Sequence, residues 1–453
     1  MQLKLPEDVK RIIETLSKAG FEAYAVGGCV RDCLLGKEPN DWDITTSALP
    51  SEVKSLFRRT IDTGIAHGTV TVLLNRTGYE VTTYRIDGEY EDGRHPKDVT
   101  FTASLREDLR RRDFTINAMA YNEEDGLVDL FDGQGDLQRG IIRCVGDARE
   151  RFGEDALRML RAVRFSAQLG FTLDEATALA IRELAGTLSK VSAERIQTEL
   201  VKTVTSAHPE RIRDAYEYGL TAVFLPEFDR MMQTPQNNIN HVYSVGEHTV
   251  KSMENIAGDK VLRLAMLFHD IGKPLCKTTD EDGTDHFRGH PEVSAKLAGE
   301  CLRRLKFDND TTERVCRLCK AHDYRIEPEC KYLRRAMRRL GEDLFPDFFA
   351  VQRADVLAQS DYKREEKLAQ IAHNEADFLE ITAKGECVSL KNLAVNGSDL
   401  IGCGIRPGKQ IGELLNLMLD EVVEHPENND KIYLLQVMLP KNLEKWEKIE
   451  KKP

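Results

Sequence analysis

The chain has 453 residues, 41% of them hydrophobic, enough for several packed units of the usual ~100–200 residues. A net charge of −12 excludes indiscriminate polyanion binding, so a nucleic acid has to be met by local basic patches. No apolar run approaches the ~20 residues that span a bilayer, and the start, MQLKLPEDVKRII, has no apolar stretch of signal-peptide length. The ten cysteines are scattered along the chain. Free thiols, a cytoplasmic setting and no membrane partner are the expectation.

Residues 1–140 alternate strand-like and helix-like segments. YAVGG (24–28), DWDITT (41–46), TVTVLL (69–74) and YEVTTYR (79–85) are short and β-branched, as strands are. CVRDCLLG (29–36) and PSEVKSLF (50–57) carry helical spacing between them. These segments predict an α/β unit with a small mixed sheet. From about residue 141 the strand signals nearly vanish. DALRMLRAVRFSAQLGF, SAERIQTELVKTV and the stretch around VLRLAMLFHDIG repeat apolar residues every three or four positions, which predicts a helical array. A boundary is expected near Pro209–Glu217, and PQNNINH (235–241) precedes the next helical unit. Cys316 and Cys319 form a CxxC without a second pair, so they read as helix residues at i and i+3. The last stretch, KNLEKWEKIEKKP, reads as a frayed charged helix or tail.

Chemistry concentrates first around two glycines and two aspartates. Gly27-Gly28 ends the first strand and Val30-Arg31-Asp32 follows on a helix start. Glycine allows close backbone approach to a phosphate, and helix N-terminal amides favour anions. Asp41 and Asp43 stand at i and i+2, which on a strand share one face. Carboxylates that close repel unless a cation lies between them, and Mg²⁺ prefers such oxygen ligands. Glu80, at the start of YEVTTYR, is the candidate third acid on a neighbouring strand. Two basic patches accompany them: Arg106–Arg112, and the run Arg149, Arg151, Arg158, Arg161 and Arg164. By charge alone either is a solvated helix face.

GGCVRD followed by DWDI resembles the signature of class II CCA-adding enzymes and bacterial poly(A) polymerases of the polymerase-β superfamily. Further matches follow in order. EDGRHP (91–96) resembles the mobile loop of the head, RRDFTINAMA (111–120) the ribose-contacting motif, LVDLFDGQGDL (127–137) the lead into the neck, and GEDALRMLRAVRF (153–165) the base-reading motif. The resemblance covers roughly residues 20–200. It implies that Gly28 and Arg31 hold a triphosphate, that Arg112 contacts the nucleotide, and that Asp113 orients its arginine neighbours and the ribose. Asp155, Arg158, Arg161 and Arg164 would line the nucleotide pocket. Asp155 and Arg158 at i and i+3 share one helix face, where the carboxylate can accept from the amino group of C or A while the arginine donates to a ring acceptor. The implied reaction is attack by a tRNA 3′-hydroxyl on the α-phosphate of CTP or ATP, with Asp41 and Asp43 holding Mg²⁺ and Glu80 assisting. No DNA is involved. Poly(A) synthesis, or addition of C alone or A alone, uses the same head motifs and stays open.

The C-terminal half carries a second constellation: His248 (GEHTV), His269-Asp270 (FHDIGK), His290 (RGHPEVSA), His322 (KAHD) and Asp355 (RADVLAQ). Imidazoles and carboxylates of this kind converge on divalent metals. HDIGK and its partners resemble the HD superfamily of metal-dependent phosphohydrolases. That resemblance implies a core of His248, His269, Asp270 and Asp355 holding a transition metal or Mg²⁺, with His290 and His322 extending it to a second ion. Such a centre hydrolyses phosphate esters, here at RNA ends. An HD phosphohydrolase whose N-terminal unit only binds RNA is the alternative, disfavoured because a binding module needs no metal ligands. Residues 392–415 resemble the C-terminal part of the nucleotidyltransferase family more loosely. The expected fold class is α+β: a nucleotidyltransferase head with a small mixed sheet over 1–140, a helical neck over 141–215 that reads the base, an HD-like helical domain over 216–375, and a helical tRNA-binding region over 376–453.

Overall fold

The computed structural model describes residues 3–88 and 99–443. EDGRHP (91–96) and most of the charged C-terminal stretch therefore lie outside the described residues. The chain forms two compact units. The first runs to Asp229 and includes Arg304–Phe307; the second takes Arg230–Arg303 and continues from Asp308. The stretch Pro209–Glu217 is a short turn and the helix Ile212–Glu217 inside the first unit. No helix among the described residues is long and apolar enough to cross a membrane.

The first unit is built on a seven-stranded sheet: β1 (Ala23–Val26), β2 (Asp43–Thr46), β3 (Thr60–Gly64), β4 (Thr69–Leu74), β5 (Thr77–Thr83), β6 (Met119–Asn122) and β7 (Gly126–Asp129). Their order is β3-β4-β5-β2-β1-β6-β7. Only β2 and β5 run parallel; every other neighbouring pair is antiparallel, so the sheet is mixed as expected. β1 is buried along its whole length, which explains its continuous apolar run. β4 instead buries Val70 and Val72 and leaves the residues between them half-buried, the alternation of a strand with one covered face. The helix Glu7–Lys18 covers the sheet with Val9, Ile12, Ile13 and Leu16, a stripe at helical spacing.

β4 and β5 meet in a two-residue turn. Leu74 pairs with Thr77, and Asn75 and Arg76 between them both have positive φ, 48° and 69°. Two consecutive residues with positive φ make the type I′ turn, whose twist matches that of the strands it joins.

Beyond the sheet residues the first unit is mainly helical, with one parallel pair of two-residue strands, Ile141–Ile142 and Thr172–Leu173. Leu157–Leu169 is buried nearly all round and packs on Ala193–Val204. The second unit is helical apart from one pair of two-residue strands. Helices Val245–Glu254, Lys260–Phe268, Asn309–Ala321 and Phe345–Ala358 pack together. Cys316 and Cys319 lie on one of these helices, and all ten cysteines are free thiols. A separate apolar cluster of Leu400, Leu414, Met418, Val422 and Leu434 holds the C-terminal helices.

Candidate active site and metal cluster

Sheet topology assembles the head site. β1 and β2 are antiparallel with Ala25 opposite Ile44, so the turn that follows Val26 emerges beside Asp43. Gly27 sits there with φ +82°, a conformation that suits glycine. On the other side of β2, Asp43 is in parallel register with Glu80 of β5. Asp41, Asp43 and Glu80 are all exposed to an approaching ligand. Asp41 precedes the strand, which starts at Asp43, so period-two strand geometry does not place the two aspartates on one face. They are nonetheless close enough to interact. Burial by the surrounding protein and the charge of Asp41 push the Asp43 carboxyl up, with Arg112 opposing. Burial, Asp43 and Asp41 push Glu80 up. A group of accessible oxygen donors that mutually disfavour ionisation fits a hard divalent cation such as Mg²⁺.

The arginines singled out in the sequence are held in place by carboxylates. Arg31 donates to Asp32 at 2.9 Å and to the Asn117 side-chain oxygen at 2.7 Å. Asn117 in turn donates to Asp113 at 3.3 Å. Asp113 accepts from Arg161 at 2.7 Å. Burial pushes the Asp113 carboxyl up, but Arg161 and Arg158 outweigh it and bring it down to about 2. Arg164 pairs with Glu199 at 2.5 Å, both buried. Arg31, Arg161 and Arg164 stand 5.2, 5.5 and 3.8 Å from the centre of the Phe165 ring, so one aromatic ring gathers three guanidiniums. Arg149 pairs with Glu183 on the surface, and Arg111 and Arg112 both pair with Asp108.

Asp155 and Arg158 do not share a helix face. The helix Ala148–Glu154 ends at Asp155, whose backbone is extended, and the next helix is Leu157–Leu169. Asp155 instead caps the break by accepting from the Leu157 amide at 3.0 Å. Its carboxylate pairs with Arg195, at 2.7 and 3.2 Å. Arg158 donates to Glu154 and to the carbonyls of Arg151 and Arg111. The i, i+3 spacing runs through a helix break, and the shared face it implied is not formed. Arg195 and Glu199 escaped notice because SAERIQTEL was read only as a helix, and Asp108 because REDLRRR was read only as a charge patch.

The second unit brings the predicted histidines together. Asp259 caps the helix Lys260–Phe268, which delivers His269 and Asp270 at its end. Asp308 likewise caps Asn309–Ala321, at whose end stands His322. His290 opens its own helix, His248 lies on Val245–Glu254 and Asp355 on Phe345–Ala358. Gly272 permits the close packing: a Cβ there would lie 2.6 Å from the Ser294 nitrogen. Four imidazole Nε2 atoms surround the Asp270 carboxylate, His269 and His290 at 3.3 Å, His322 at 3.5 Å and His248 at 3.6 Å. Asp355 lies 2.8 Å from His248 Nε2.

The other ring nitrogen decides the tautomer. Nδ1 of His248, His269, His290 and His322 each faces a backbone carbonyl, of Ala358, Met266, Phe287 and Cys319 respectively. A carbonyl only accepts, so Nδ1 carries the proton and Nε2 presents its lone pair. The Nε2 atoms of His248 and His269 are 3.3 Å apart, and those of His290 and His322 are 3.1 Å apart. Lone pairs facing at that range call for cations between them. Among the described residues neither Asp270 oxygen has a hydrogen-bond partner of sound geometry, although Lys273 Nζ stands 2.7 Å from one of them. The donor set therefore fits one or two divalent ions, as two overlapping triads: His248, His269 and Asp270, then Asp270, His290 and His322. A cleft of about 560 Å³ lined by Lys273, Arg288 and Arg325 opens onto it.

Three family descriptions match successive parts of the chain: "Poly A polymerase head domain" over 23–143, "Probable RNA and SrmB- binding site of polymerase A" over 170–232, and a tRNA nucleotidyltransferase domain 2 over 290–438. The CCA-adding enzyme of Lactiplantibacillus plantarum is 53% identical over 223 residues, a match that spans 49% of this chain and 53% of that protein. The CCA-adding enzyme of Limosilactobacillus reuteri is 53% identical over 431 residues, 95% of each chain. A crystal structure of the Bacillus stearothermophilus CCA-adding enzyme in complex with CTP superposes with a TM-score of 0.72 at 30% identity, covering 98% of this chain and all of that one. The likeness to the Limosilactobacillus reuteri enzyme, which extends over 95% of both chains, places this chain in a family: it belongs to the CCA-adding enzymes that carry a poly(A) polymerase head.

Proposed function

We propose that this chain adds C, C and A to tRNA 3′ ends from CTP and ATP, releasing pyrophosphate, in the cytoplasm. The observation that carries this reading is the group formed by Asp41, Asp43 and Glu80 beside the Gly27–Gly28 turn, in a chain whose full-length relatives are CCA-adding enzymes. Asp41 and Asp43, with Glu80 alongside, would hold Mg²⁺, which when bound lowers the pKa of the attacking hydroxyl and neutralises the leaving pyrophosphate. Arg31, fixed by Asp32 and Asn117, faces the triphosphate with Gly28, and Arg112 adds a second cation.

Base choice falls to Asp155 and Arg158. Asp155 is held as an acceptor by Arg195 and suits the exocyclic amino group that C and A share. U and G present a carbonyl there, and an unpaired buried polar group costs about 1–3 kcal/mol, one to two orders of magnitude in preference. The test is a tRNA lacking its CCA end, incubated with Mg²⁺ and each NTP singly and together, with the 3′ ends then sequenced. CC from CTP alone and CCA from both is the expected product. Long A tails would replace this reading with poly(A) synthesis.

The histidine cluster supports a second activity in the same chain. Its four carbonyl-fixed imidazoles and two carboxylates, facing a cleft lined by Lys273, Arg288 and Arg325, suit metal-dependent hydrolysis of a phosphate ester at an RNA end. Release of phosphate from 3′- or 2′-phosphorylated RNA, lost in Asp270→Ala and kept in Asp41→Ala, is the expected result.

A further inference from the structure

Asp108 is a carboxylate with none of its surface exposed, on the helix Leu105–Arg110. An enclosed carboxylate is stable only if its oxygens are fully served, and here three side chains converge on it. Oδ1 accepts from Arg111, at 2.7 Å from Nη2 and 3.0 Å from Nε. Oδ2 accepts from Arg112 Nη2 at 3.3 Å and lies 3.2 Å from the Thr45 hydroxyl, whose single proton it shares with the Thr82 carbonyl of β5 at 3.3 Å.

Both partners of Oδ2 lead to the head site. Thr45 is two residues beyond Asp43 on β2. Arg112 Nη1 stands 3.0 Å from the position a Cβ would take on Gly27, against the turn that follows β1. The Nε of Arg112 is buried with no hydrogen-bond partner among the described residues, so this guanidinium retains donor capacity. One carboxylate oxygen therefore joins the strand that begins with Asp43 to the arginine lying against the glycine turn.

We propose that Asp108 is a positioning residue for the nucleotide: it fixes Arg112 between the Gly27 turn and β2, and through Thr45 registers that cation to the strand carrying Asp43. This rests on Arg112 contacting the incoming nucleotide. The carboxylate is required because an amide in its place keeps a single acceptor oxygen and turns an NH₂ group towards the guanidiniums. Asp108 acts before the base is read, so its effect is common to CTP and ATP.

The test measures initial rates against CTP and ATP for the wild type, Asp108→Asn, Thr45→Val, Arg112→Lys and the double variant Asp108→Asn/Arg112→Lys. Folding is followed by circular dichroism and tRNA affinity by filter binding. Asp108→Asn is expected to raise KM for both nucleotides about tenfold, with kcat changed less than about threefold and tRNA affinity and base preference intact. Thr45→Val, which removes the strand side of the bridge together with the hydroxyl's contact to the Thr82 carbonyl, is expected to raise both KM values about threefold. The double variant is expected to bind nucleotide no worse than Arg112→Lys alone, because the two residues act as a unit. A normal KM in folded Asp108→Asn, or additive losses in the double variant, would overturn the proposal. If Asp108→Asn does not fold, a normal KM in Thr45→Val overturns it. Absence of nucleotide addition by the wild type would instead strike the reading of the head as a transferase.

Discussion

Asp155 is bound through both carboxylate oxygens to Arg195, on the helix Ala193–Val204. Its side chain is 15% exposed and that of Arg195 23%, so the pair is sheltered enough to fix the carboxylate's direction. An acceptor held in this way discriminates by what the base offers it. Asp155→Ala is expected to reduce the preference for CTP and ATP over UTP and GTP by about ten- to a hundredfold. Arg195→Met leaves the carboxylate but frees it, and is expected to erode the same preference by a smaller factor. Misincorporation of each NTP into tRNA that lacks its CCA end, or carries only its first C or both Cs, measures both effects.

On the proposed reading Asp41 would hold Mg²⁺, and its loss would remove chemistry without touching the RNA surface. Asp41→Ala is expected to lower incorporation by at least about a thousandfold while tRNA affinity stays within about twofold. Near-normal extension by this variant would sink the assignment of the site.

Gly27 separates shape from charge at the same place. Gly27→Ala puts a Cβ 3.0 Å from Arg112 Nη1 and forces a positive φ, +82°, on a residue with a side chain. A strain of roughly 1–2 kcal/mol, relieved in part by moving Arg112, is expected to appear as weaker nucleotide binding. Comparison of the CTP and ATP Kd values with those of the wild type checks this.

Asp113 sets a pH dependence on stability. Its folded carboxyl titrates at about 2 against an ordinary 3.8, and its depressed value means that ionisation stabilises the fold. That contribution is fully present above the ordinary carboxylate pKa and is lost as pH falls from 3.8 through about 2. At pH 7 it amounts to about 2 kcal/mol, since each pKa unit is worth ~1.4 kcal/mol. Denaturant unfolding of wild type and Asp113→Asn should show that gap at neutral pH and its closure in acid.

The histidine cluster is expected to bind metal whether or not it hydrolyses anything. Purified protein should contain a transition metal or Mg²⁺ by elemental analysis, and a chelator should lower the unfolding temperature of the second unit. Asp270→Ala, which removes the carboxylate common to both triads, should abolish both effects.

The sequence disclosed residue types better than their partners. The mixed sheet, the glycine turn and the histidine set were legible because each depends on local pattern or short spacing. Glu80 could be nominated, but its place opposite Asp43 is fixed by strand register, which no single segment contains. β3, β6 and β7 were missed. TIDTG has no buried residue, and MAYN is buried at every position, so neither alternates as a half-covered strand does. The shared helix face expected for Asp155 and Arg158 is absent because apolar periodicity runs through GEDALRML without marking the break at Asp155. Arg195 and Asp108 lie 40 and 63 residues from Asp155 and Thr45, the groups they hold. Only the folded chain brings such pairs together.

The Asn75–Arg76 turn has a reach beyond its hairpin. Side chains alternate along a strand, so Glu80 faces Asp43 only while β5 keeps its phase. That phase is counted from the turn, three positions upstream of Glu80 at Thr77. A one-residue slip of β5 turns Glu80 to the far side of the sheet, and a two-residue slip returns it to the right face but no longer opposite Asp43. The carboxylate site thus depends on a count made in a distant loop, which the tight two-residue turn holds to a single value.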